Sequence, residues 1–204
     1  MKRASHTERR RLLQAAALML AAPWCRAAEP PSAASPPAER DARARRWFTD
    51  TRLVDQDHRT HAFYSDLVAP RAVLINAVFV GCSSACPLLT QRLVQTRELL
   101  GNDFGTRIGF LSITVDPLSD GPAELKRFAQ RQGADGAGWR FLTGEPAAVN
   151  HVLRRLGLWA ETPEAHATTL IAGIARGGRW AKLRPDGTPA ALASELQRFI
   201  APGP

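Results

Sequence analysis

Residues 72–80, AVLINAVFV, form an almost unbroken apolar run rich in branched side chains. A run of this kind has no polar face to give to water, so it reads as a strand covered on both sides at the centre of a sheet. Cover on both sides requires helices before and after it, and the chain supplies them. PLLTQRLVQTRELLG places Leu89, Leu93, Thr96 and Leu100 at helical spacing, with Pro87 suited to a first turn and Gly101 to a stop. RIGFLSITV (107–115) is a second apolar strand, and GPAELKRFAQRQG a helix with Pro122 near its start. WRFLTG reads as a short strand, and PAAVNHVLRRLG as a helix with Val149, Val152, Leu153 and Leu156 on one face. TTLIAGI and RWAKLR flank ARGG as a hairpin, and TPAALASELQRFI closes the chain as a helix capped by Thr188. With a shorter hairpin near 52–64 in front, the order is β-α-β-α-β-α-β-β-α. That order predicts an α/β sandwich with a central mixed sheet flanked by helices and an N-terminal hairpin extension, as in the thioredoxin fold.

The formal net charge of +8 invites a nucleic-acid reading, but its location argues against one. The first 27 residues have a basic start (MKRASHTERRR), a short apolar core (LLQAAALMLAAP) and small residues near Ala27 and Ala28, the pattern of a secretory signal. That segment holds six Lys and Arg residues against Glu8, so its removal leaves a net charge of about +3. The apolar run from Leu12 to Ala22 is shorter than the roughly 20 residues that span a bilayer, so cleavage is favoured over membrane anchoring. Residues 28–46, rich in proline and alanine, read as a flexible tether, and 47–204 as the folded domain. Export places the protein in the periplasm or on the outer face of the cytoplasmic membrane.

Cys25 leaves with the signal, so the two mature cysteines are Cys82 and Cys86 in FVGCSSACPLL. They sit where the 72–80 strand hands over to a helix, the end of a sheet at which α/β sites form. Pro87 biases Cys86 away from helical geometry, which predicts a loop over 81–86 able to aim both sulfurs into one space. Two such thiolates form a disulfide or bind a soft metal. A third ligand would discriminate. His58 and His61 lie in the polar stretch VDQDHRTHAF and read as solvated, and His151 follows Asn150 off the apolar face of its helix. His166, in EAHATTLIAG, directly precedes a predicted core strand that begins beside the cysteine loop. A polar loop histidine with no ligating role is the competing reading of it.

Three ordered stretches resemble the SCO/SenC family of copper-handling thioredoxin-fold proteins over residues 50–200. They are LVDQDHRTHAFYSDLVAPRAVLINAVFVGCSSACPLLTQRL, LSITVDPLSDGPAELKRFA and HATTLI. The resemblance implies that Cys82, Cys86 and His166 are copper ligands for Cu(I) and Cu(II). It also implies a role in assembling the binuclear copper centre of cytochrome c oxidase. The implied partners are a copper-receiving oxidase subunit or other copper protein and a thiol reductant, with no nucleic acid. Asp116 and Asp120 match the family's D-P and D-x-P positions, and Asp120 reads mainly as a helix-start residue. Ser83 and Ala165 depart from the family's usual proline and aspartate. Beside the copper reading stands an exported thiol-disulfide oxidoreductase or thiol peroxidase cycling Cys82 and Cys86, although dedicated exchangers mostly use C-x-x-C. A purely structural disulfide is the third reading, and its short loop gains little entropy.

Overall fold

In the computed structural model, residues 36–83, 85–175 and 178–201 are described. The signal expected at 1–27 and the first part of the expected tether lie outside them. The remainder of that tether is not a linker. Pro37–Phe48 is a helix, α1. Its first turn carries Glu39 and its last turn Arg45 and Arg46, charges that complement the helix dipole. Ala44 and Phe48, four apart, are both buried in the core. Burying a phenylalanine contributes on the order of 2 kcal/mol, which helps hold this arginine-rich segment on the core as a helix. Tyr64 OH donates to Asp41 Oδ1 (2.5 Å) and ties α1 down.

The expected hairpin is β1 (Arg52–Asp55) with β2 (Thr60–Ala62), followed by a π-helical turn, Phe63–Val68, that buries Phe63, Tyr64, Leu67 and Val68. The β/α alternation then appears in the expected order. Its elements are β3 (Ala72–Val78), α2 (Ala85–Leu100), β4 (Ile108–Thr114), α3 (Pro122–Arg131), β5 (Trp139–Thr143) and α4 (Pro146–Leu156). The hairpin β6 (Leu170–Ile174) and β7 (Arg179–Leu183) and the last helix α5 (Pro189–Ile200) complete it. Thr188 caps α5 as expected, its side chain accepting from Ala191 N.

The seven strands lie in the order β2-β1-β5-β4-β3-β6-β7. β3, β4 and β5 are parallel, and the remaining pairings are antiparallel. All seven residues of β3 and of β4 are buried. Alternation splits them between two apolar layers. Val73, Ile75 and Ala77 pack with Phe48, Phe63 and the α4 residues Val149, Val152 and Leu153. Ala72, Leu74 and Val78 pack with α2, α3 and α5 through Leu89, Leu93, Leu125, Phe128 and Leu196. The polar Asn76 is satisfied within the sheet: Ser112 Oγ donates to its Oδ1 (2.8 Å), and Trp139 Nε1 donates to Ser112 Oγ (2.9 Å). Among the described residues no helix is long and apolar enough to cross a membrane.

Candidate metal centre

Past Val78 the chain leaves the sheet in a tight turn, in which Cys82 N donates to Phe79 O (3.1 Å). α2 starts at Ala85, so Cys86 sits in its first turn rather than in the expected 81–86 loop. The bias that Pro87 places on its predecessor is outweighed by burial. Cys86 is 3 % exposed and packs in the layer that contains Val78, Leu89 and Leu93. A first-turn amide lacks an intrahelical acceptor, and Cys86 N finds one in Cys82 Sγ (3.4 Å). Cys82 and Cys86 are both thiols.

The antiparallel register of β6 on β3 pairs Ile171 with Ile75 and Ala172 with Leu74. Residues just before β6 therefore run toward the segment that follows Val78, and this delivers His166. Its ring is half-buried, and Nε2 lies 3.3 Å from Cys86 Sγ. The other nitrogen, Nδ1, bonds the Pro163 carbonyl. A carbonyl oxygen only accepts, so Nδ1 carries the hydrogen and a neutral ring turns its Nε2 lone pair toward the thiol. Burial pushes the Cys86 thiol up to about 12, reinforced by Cys82 and Asp120 and opposed by a hydrogen bond from the Phe79 backbone. At neutral pH Cys86 is a protonated thiol whose S–H faces the imidazole lone pair.

Asp120 differs from its expected role. The N-cap of α3 is Gly121, and no side chain caps that helix. Asp120 is buried instead, and one oxygen, Oδ2, accepts from Thr114 Oγ1 (2.7 Å) and from Val80 N (3.1 Å). It fastens the segment leading into Cys82 to the end of β4. Burial raises its pKa, with Asp116 and Glu124 adding repulsion against the hydrogen bonds from Thr114 and Val80. Only the D-x-P spacing marked this residue in the sequence, and that spacing suggested a cap.

The other histidines stay apart. His58 is exposed in the β1–β2 turn, and His151 is exposed on α4. His61 is not simply solvated: its Nε2 donates to Oδ2 of the fully buried Asp55 (2.8 Å). Among the described residues no three His, Cys, Asp or Glu side chains stand close enough together to hold a metal ion as they are placed. Cys86 is the meeting point, in contact with Cys82 through its amide and with His166 through its sulfur. Two thiols and one imidazole of fixed tautomer are the donor chemistry of a soft metal.

The model of a family described as SCO1/SenC matches residues 44–197. A 72-residue stretch is 33 % identical to a SCO1 protein homolog from Bacillus subtilis and covers 35 % of this chain and 36 % of that relative, so it spans about a third of the relative's length. Among solved structures, Bradyrhizobium japonicum ScoI with copper bound superposes with a TM-score of 0.61 at 22 % identity, over 73 % of this chain and 96 % of the other. BsSco, described with a disulfide switch and as a member of the Sco family of cytochrome c oxidase assembly proteins, gives 0.63 at 21 %, over 74 % and 92 %. These likenesses show the fold, which is thioredoxin-like.

Proposed function

The chain belongs to the SCO1/SenC family, and on that premise we propose that it is an exported copper-binding protein. It delivers copper to, or keeps reduced the cysteines of, the binuclear copper centre of cytochrome c oxidase during assembly. Copper is cargo in this reading, held by Cys82, Cys86 and His166. The observation that carries it is the 3.3 Å approach of Cys86 Sγ to His166 Nε2. Support also comes from the copper bound by Bradyrhizobium ScoI and from the oxidase-assembly family to which BsSco belongs. The signal-like start of the chain supports export to the periplasm or the outer membrane face.

Each element has a task in loading. Pro163 holds the imidazole with Nε2 available, as the partners of metal-binding histidines do. Loading displaces the thiol protons, so affinity rises with pH. Copper supplies the soft Lewis acidity that draws thiolates. Three protein donors leave room for a ligand from the recipient, which permits hand-over by exchange. Oxidation of Cys82 and Cys86 to a disulfide would remove two electrons and two protons and block loading until a thiol reductant restores both thiols.

The asymmetry of a partly exposed Cys82 beside a buried Cys86 also favours a second reading, thiol-disulfide exchange. The separating experiment is copper titration of wild type, Cys82→Ser, Cys86→Ser and His166→Ala, with a disulfide-reduction assay run on copper-free protein. The copper reading expects thiolate-to-copper absorption that the serine variants lose and His166→Ala shifts and weakens. An unchanged spectrum and affinity in His166→Ala would remove histidine from the site. Rapid turnover without copper would favour exchange.

A further inference from the structure

A groove of about 790 Å3 opens between α1, α4 and the edge strand β7. It belongs to the apolar layer of Phe48 and Val149, not to that of Cys86. Its floor is apolar, formed by Phe48, Leu156, Ile171 and Trp180. Trp180 lies across β6 because its cross-strand partner is Gly173, where a Cβ would stand 2.1 Å from the indole. Phe48 packs against that indole with ring centroids 4.6 Å apart.

The rim has the opposite chemistry. Arg40, Arg43, Arg46, Arg155 and Lys182 line it, and no carboxylate does. Among the described residues none of these five cations forms an ion pair, whereas Arg45, Arg107, Lys126, Arg127 and Arg198 elsewhere do. Arg40 Nε is shielded from solvent without a hydrogen-bond partner among the described residues. Five like charges around one concavity repel one another, and an anionic occupant relieves that cost.

We propose that this groove docks an extended acidic peptide segment of a partner protein. One apolar side chain of the segment rests on the Phe48–Trp180 floor, and its carboxylates meet the arginine rim. Four observations select this occupant. A lone inorganic anion would leave the apolar floor unused. A lipid surface needs protruding apolar side chains, and of the lining residues only Trp47, 52 % exposed, is a large exposed hydrophobic. The chain's own N-terminal sequence lacks the charge for this rim: residues 1–27 are net cationic, and residues 28–35 offer a single carboxylate, Glu29, against five cations. Among the described residues β7 is the last strand of the sheet, and such an edge suits an extended partner. The proposal does not depend on the copper reading, because none of Cys82, Cys86 and His166 lines the groove.

The test uses the full chain and a dye-labelled peptide, Glu-Asp-Glu-Phe-Glu-Asp-Glu, followed by fluorescence anisotropy. Arg43 and Arg46 are exposed, so the double reversal Arg43→Glu with Arg46→Glu leaves the core intact. Saturable binding is expected that weakens with added salt, falls about tenfold or more in the double reversal, and falls again when the peptide's Phe is replaced by Ser. Copper stoichiometry of the double reversal should match wild type, which separates this outcome from failure of the metal reading. No saturable binding at low salt, equal affinity for the double reversal, or indifference to the Phe replacement would each overturn the proposal. So would preference for phosphatidylglycerol vesicles over the peptide, which would assign the groove to a membrane.

Discussion

Cys86 Sγ and His166 Nε2 stand 3.3 Å apart although 80 residues separate them in the chain. The contact exists because β6 runs antiparallel to β3 and begins where β3 ends. It makes the two cysteines chemically unequal. Cys86 is 3 % exposed, is pushed up to about 12, and has its proton engaged by an imidazole, while Cys82 is partly exposed. A thiol reagent such as iodoacetamide at mildly alkaline pH should therefore modify Cys82 at least about tenfold faster than Cys86, because the thiolate is the nucleophile. The difference should vanish in denaturant, and loading with Cu(I) should protect both. Mass spectrometry of the cysteine peptide reads the ratio, and equal rates in the folded protein would contradict the burial and proton assignment.

Asp120 serves the cysteine segment through a single oxygen, since both Thr114 Oγ1 and Val80 N donate to Oδ2. An asparagine keeps a carbonyl oxygen at that place, whereas alanine leaves the buried amide of Val80 without its acceptor. Asp120→Ala should lose about 1–3 kcal/mol in urea denaturation, and Asp120→Asn should lose much less. The pH dependence has a definite sign. The folded pKa is raised, chiefly by burial, above the ordinary 3.8. Stability from the protonated acid is thus complete below that value and is lost as pH rises through the folded pKa. Wild type should gain on Asp120→Asn as the solution is acidified, and a gap that stays constant with pH would refute the assignment.

The opposite sign holds at Asp55. Burial works to raise its pKa but is overcome by hydrogen bonds from His61 and from the amides of Arg59 and Asp57, so the net shift is downward from 3.8. This stability is present above the ordinary value and is lost as pH falls through the lower folded one. Asp55→Asn should cost about 1–3 kcal/mol at neutral pH. The cost should begin to shrink as pH falls below the ordinary 3.8 and continue to shrink toward the lower folded value, where the folded wild type loses the same charge. Denaturation curves at neutral and acid pH decide it, and an undiminished difference in acid would rule out the carboxylate as the cause.

The β/α order was legible because periodicity is local: AVLINAVFV and RIGFLSITV announce buried strands without reference to any partner. His166 was legible only as far as its position before a strand, since the approach to Cys86 depends on the β3–β6 register. What was misread depends on contacts between elements rather than within one. Residues 37–46 of α1 looked like tether because their helix is held through Phe48, whose burial requires Trp180 and Phe63. Asp120 looked like a cap because its donors lie on β4 and 40 residues upstream at Val80. His61 looked solvated because the carboxylate that holds it is carried by the neighbouring strand. In each case the residue type was consistent with two environments, and only the fold chose.

Gly173 is the clearest instance of a side chain excluded by a neighbour across a strand pair. It faces Trp180 in the β6–β7 register, and a Cβ would meet the indole at 2.1 Å. The ring cannot simply swing away, because Phe48 packs against it. Gly173→Ala should therefore cost about 1–3 kcal/mol through overpacking. Trp180→Ala alone should cost about 2 kcal/mol in lost burial. In the double variant the clash has no second party, so the total should fall short of the sum of the single costs by about 1 kcal/mol or more, as expected for residues in contact. Urea denaturation of the four proteins gives the coupling directly. Strict additivity would mean that the indole does not rest on Gly173, and the aromatic floor of the groove would then need another explanation.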